Sequence, residues 1–154
     1  MDNNDILRRL RFTFDFNDTK MMALFASADY PATRSEISDW LKKEDDPALQ
    51  KLNDKLLNIF LNGFISDRRG KKEGEPPALE GRLNNNIILR KLKIALNLKD
   101  DDMLEIFELA HIRISKHEIS AFFRNPNHGE YRECKDQFLR NFLQGLQIKY
   151  KDQI

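Results

Sequence analysis

The chain has 154 residues, with 26 Lys+Arg against 25 Asp+Glu, 40% hydrophobic residues and a single cysteine, Cys134. The near-balance of charge argues against a polybasic nucleic-acid coat or an acidic tail, and no apolar run approaches the roughly 20 residues of a membrane span. The opening MDNNDILRRL has no signal-peptide core and a lone cysteine cannot staple the chain, so a reducing cytoplasm is the expected compartment.

Shifted against itself by 82 residues, the chain aligns positions 3–70 with 85–152 without a gap, with 18 identities in 68 pairs. The openings read NNDILRRLRF and NNIILRKLKI, the middles ATRSEISDWLKK and ISKHEISAFFRN, and the ends DKLLNIFLNG and DQFLRNFLQG. Self-similarity of this length marks one structural template used twice.

Each copy reads as four helices. The first takes Asn3 and Asn4 as caps and buries Ile6, Leu7, Leu10 and Phe14; Ile88, Leu89, Leu92 and Leu96 repeat that stripe. The second begins after Asp18 or Asp100, each placed as its cap, with Met21, Met22, Phe25 and Ala28 inward in copy one, and Met103, Leu104, Phe107 and Ala110 in copy two. The run Asp100-Asp101-Asp102 suits a helix dipole better than a metal. The third opens on capping boxes, Thr33 with Glu36 and Ser115 with Glu118, followed by Ile37, Trp40 and Leu41 or Ile119, Phe122 and Phe123. The fourth is expected from Asp46-Pro47, with Leu49, Leu52, Leu56, Phe60 and Phe64 inward; Tyr131, Cys134, Phe138, Phe142 and Leu146 are its counterparts. Cys134, matching Leu52, reads as a small buried hydrophobe.

The glycine, proline and mixed-charge content of residues 67–82 marks a linker. The expected organisation is therefore all-α: repeat 1 over 1–66, the linker, and repeat 2 over 83–150. Two four-helix repeats would pack with pseudo-two-fold symmetry, because about 65 residues barely close a core alone.

Among the matched carboxylates, Asp18/Asp100 and Glu36/Glu118 are explained by caps. Asp54 and Asp136 precede Leu57 and Leu61, and Leu139 and Leu143, by helical spacing. A core-facing carboxylate needs a partner, so salt bridges Asp54–Arg8 and Asp136–Arg90 are expected. The histidines His111, His117 and His128 fit no zinc spacing, and no phosphate loop, nucleophile elbow or HExxH motif is present. No catalytic residue, metal or cofactor is assigned.

The surface is more suggestive. Helix one carries Arg8, Arg9 and Arg11 in copy one and Arg90, Lys91 and Lys93 in copy two, two basic faces suited to a phosphate backbone. The passage from helix two to helix three has a helix–turn–helix look, with Arg34, Ser35, Ser38 and Lys42, or Lys116, His117 and Arg124, near the reading position. Against this, DYPAT is a long break, Glu36 and Asp39 would repel phosphate, and each copy is nearly neutral, with 11 bases and 11 acids in 3–70 and 12 and 10 in 85–152.

Asn-Asn-x-Ile-Leu-Arg-x-Leu at the start of each half, Glu-Ile-Ser in the middle and Phe-Leu-x-Gly at the end resemble the YehS-like bacterial proteins, chains of roughly 150 residues built from a tandem domain of unknown function. The resemblance spans nearly the whole chain. It implies a small cytosolic bacterial protein and transfers no activity, cofactor or catalytic residue. The expected function is a non-enzymatic binding module for nucleic acid; the alternative is a protein–protein adaptor with an apolar groove between the repeats. Oligomeric state is not legible.

Overall fold

The computed structural model describes residues 1–70 and 82–152, in which α-helices are joined by turns and short extended segments, with no strand among the described residues. The helices are α1 (Asn3–Thr13), α2 (Asp18–Ser27), α3 (Arg34–Trp40), α4 (Asp54–Arg69), α5 (Asn85–Ala95), α6 (Asp100–Leu109), α7 (Lys116–Phe122) and α8 (Asp136–Gln147). A π-helical turn, Ile148–Asp152, extends α8. The chain divides into two units, Met1–Leu83 and Asn84–Ile154, each with one copy of the four-helix template.

The starts of α1, α2 and α5 fall earlier than expected, because the residue before each supplies the cap. Asp2 caps α1: its Oδ1 accepts from Asp5 N at 2.8 Å while Asp5 Oδ2 accepts from Asp2 N at 3.1 Å. Asn84 caps α5 by accepting from Ile87 N at 2.8 Å. Asn3, Asn4, Asn85 and Asn86 are therefore inside their helices and not caps. Asn17 caps α2, leaving Asp18 in the first turn. Asp100, Asp101 and Asp102 fill the first turn of α6, where the helix dipole favours them. The capping boxes of α3 and α7 form as expected: Glu36 N to Thr33 Oγ1 and Glu118 N to Ser115 Oγ are both 3.1 Å.

The fourth helix is the largest correction. α4 begins at Asp54, eight residues beyond Asp46, and its counterpart α8 begins at Asp136. Asp46 instead closes a turn by accepting from Ala48 N at 2.9 Å, and Asn125 does the same for Asn127 N at 2.8 Å. The segments that follow are extended because α1 and α5 bind their backbone groups. Leu52 and Cys134 are buried from those segments and not from a helix.

In the first unit α2 packs on α4 and α3, and α1 on α4. Phe25 stacks near Trp40 (ring centroids 5.3 Å) and Phe60 (5.4 Å) at its centre. Leu24, one turn from Met21, is buried where the sequence pattern put Met22. α2 and α4 approach so closely that a Cβ on Gly63 would lie 1.8 Å from the Leu24 carbonyl oxygen. In the second unit α6 packs on α8 and α7, Phe107 meets Phe142 at 5.4 Å, and a Cβ on Gly145 would lie 2.1 Å from the Ile106 carbonyl oxygen. The closing Phe-Leu-x-Gly of each half is thus a helix-crossing motif.

The interval read as a linker starts inside α4. Asp67 is held there by Lys20 of α2 at 2.6 Å, and Arg68 lies over the Phe14 ring at 6.0 Å. The helix ends only at Gly70, whose φ of 83° suits glycine. Residues 71–81 of that interval lie outside the described residues.

Candidate functional site

On α1, Arg8 donates to the Lys42 carbonyl at 2.8 Å and pairs with Asp5. Arg9 and Arg11 are half-buried, and Arg11 Nε is buried with no hydrogen-bond partner among the described residues. On α5, Arg90 is exposed, while Lys91 is only 7% exposed and does not belong to a solvent-facing patch. Lys93 lies 3.2 Å from Asp100 and 4.5 Å from the Phe123 ring centroid. At the starts of α3 and α7, Arg34 is 3.8 Å from Asp18 and Lys116 is 2.5 Å from Asp101; that contact raises the Lys116 pKa. Lys42 pairs with Asp39 and Arg124 with Glu130. α3 and α7 have seven residues each, a short platform for reading a groove.

The expected Asp54–Arg8 salt bridge is absent, because both groups are engaged elsewhere. Asp54 is exposed in the first turn of α4, where its carboxylate accepts from Asn3 Nδ2 at 2.8 Å and from Leu83 N at 3.4 Å. Asp136, paired with Arg90 in the sequence reading, is likewise exposed and accepts from Asn85 Nδ2 at 2.7 Å. That bond is the chief reason its pKa falls below the ordinary 3.8. Neither carboxylate faces the core, since each is the first residue of its helix and lies beyond the buried stripe that follows it.

The residues that sequence reasoning missed are the repeated asparagines. Asn4 is 2% exposed; its Nδ2 donates to the Trp40 and Gln50 carbonyls at 2.9 Å each, and its Oδ1 accepts from Leu52 N at 2.9 Å. Asn86 is 7% exposed and repeats the pattern with Phe122 O (3.0 Å), Arg132 O (2.8 Å) and Cys134 N (2.9 Å). The neighbouring Asn3 and Asn85 donate to Leu52 O at 3.1 Å and Cys134 O at 3.0 Å. Each Asn-Asn pair therefore ties one helix start to the end of the third helix and the extended segment before the fourth. The doubled asparagine was the available signal, because a cap needs only one.

The remaining titratable groups also serve the fold. Glu36 accepts from the Tyr30 hydroxyl at 2.6 Å, whereas Glu118 accepts from Arg132, so one matched carboxylate has two different partners. His111 follows α6 with φ 61°, matching Asp29 after α2 with φ 66°. His128 Nδ1 accepts from Glu130 N at 3.0 Å within a turn. Among the described residues no group of three or more His, Cys, Asp or Glu is placed to hold a metal ion. A cavity of about 320 Å³ is lined by Asn84, Asn85, Asn86, Tyr131, Glu133 and Cys134. Burial first, and the Asp136 charge second, push the Cys134 thiol up to about 12, so it stays protonated near neutrality and is a poor nucleophile.

Two side chains stand apart. Phe12 on α1 is 51% exposed and Ile94 on α5 is 45% exposed; both are large and apolar, and they occupy the same position of the two repeats.

A family model described as "Protein of unknown function (DUF1456)" matches residues 3–70 and again 85–152, the two intervals that the 82-residue shift superposes. The chain belongs to this family. It is also similar to the "Uncharacterized protein YehS" of Escherichia coli (strain K12), with 47% identity over 148 residues, covering 95% of this chain and 94% of that protein. No solved structure matches it. Among the described residues no helix is long and apolar enough to cross a membrane.

Proposed function

We propose that the protein is a non-catalytic helical binding module in which each unit offers a partner protein one exposed apolar anchor on its first helix, Phe12 on α1 and Ile94 on α5. The carrying observation is their equivalence. One exposed apolar side chain is ordinary on any surface, but a duplicated template that keeps the same position apolar and outward in both copies points to use. The other matched polar residues described above support the reading from the opposite side: Asn4/Asn86, Asn3/Asn85, Asp54/Asp136 and Glu36/Glu118 all hold backbone or neighbouring side chains. A reducing, cytoplasmic setting suits the buried thiol of Cys134.

Nucleic acid is the second reading. It is favoured by Arg90 and Lys93 on α5, a helix without acids, and by the matched, exposed Arg34 and Lys116. It ranks lower because phosphate would have to displace the carboxylates already paired with Arg8, Lys93, Arg34 and Lys116.

The test is affinity capture with the full chain beside a Phe12→Ser/Ile94→Ser variant, together with fluorescence anisotropy against mixed DNA and RNA oligonucleotides at two salt concentrations. The proposal expects a protein retained by the parent chain and lost from an equally stable variant, without oligonucleotide binding. Capture unchanged in the variant, or oligonucleotide binding that tightens as salt falls, would overturn it.

A further inference from the structure

We draw no further inference here: the strongest candidate, the cavity beside the start of α5 lined by Asn85, Asn86, Tyr131 and Cys134, rests on a helix N-terminus and a lone cysteine, and its buried amide, Asn86, already has its hydrogen bonds within the repeat.

Discussion

Asn4 and Asn86, 82 residues apart, make the same three hydrogen bonds, two of them buried, to backbone groups that are themselves 82 residues apart: Trp40/Phe122, Gln50/Arg132 and Leu52/Cys134. A side-chain amide has two donors and an acceptor, the set needed to satisfy two carbonyls and one N–H at once. Replacing it orphans three backbone groups, two of them in a dry setting. Asn4→Ala and Asn86→Ala should each cost about 3 kcal/mol, and Asn→Leu should not rescue them, because the backbone groups stay unpaired. Urea unfolding monitored by circular dichroism measures this, with Asn3→Ala as a milder comparison.

Gly63 and Gly145 set how near α2 can come to α4 and α6 to α8. A methyl group at either position meets a carbonyl oxygen well inside contact distance, and a backbone neighbour cannot rotate away. Gly63→Ala and Gly145→Ala should each lose about 3 kcal/mol despite the better helix propensity of alanine. Thermal melts of both variants check this.

Among the described residues four non-glycine residues end helices in the left-handed region: Asp15 (φ 55°) and Asn97 (φ 53°), then Asp29 (φ 66°) and His111 (φ 61°). Asp and Asn tolerate that conformation better than histidine does. His111→Gly should therefore stabilise the protein by up to about 1 kcal/mol, with a smaller gain for Asp29→Gly. A rise in melting temperature is the readout.

Glu36 and Glu118 both titrate below the ordinary 4.5, the first chiefly through the Tyr30 hydroxyl and the second chiefly through Arg132. A folded value below the unfolded one means that the unfolded chain binds more protons on acidification. The stability these carboxylates contribute is thus present above the unfolded value and lost as pH falls through the folded one. A Glu36→Gln/Glu118→Gln variant should show a shallower loss of stability from pH 5 to pH 3, roughly, in urea midpoints.

Much of the architecture is legible in the residues. The ungapped internal match gives two copies of one all-helical template, and the capping boxes at Thr33 and Ser115 stand where their spacing puts them. The fourth helix misleads because its start is decided by Asn4 and Asn86, which reach 48 residues along the chain to bind Leu52 N and Cys134 N. Local periodicity carries no trace of such a bond. The Asp54 error follows from that one: with α4 starting at Asp54, the carboxylate sits in the exposed first turn although it keeps helical spacing to the buried Leu57 and Leu61. Basic residues are the hardest to read: nothing in the spacing of Arg8 and Lys93 reveals the Lys42 carbonyl or the Phe123 ring that occupies them. Phe12 and Ile94 lie off the inward stripes of α1 and α5, so helical apolar spacing assigns them no place.

The most direct measurement is amide hydrogen exchange at Leu52 and Cys134 in the intact chain. Both N–H groups lie outside helices and are held by a buried asparagine oxygen, so a single template used twice predicts slow, helix-like exchange at both. Exchange at open-loop rates at either amide would contradict it.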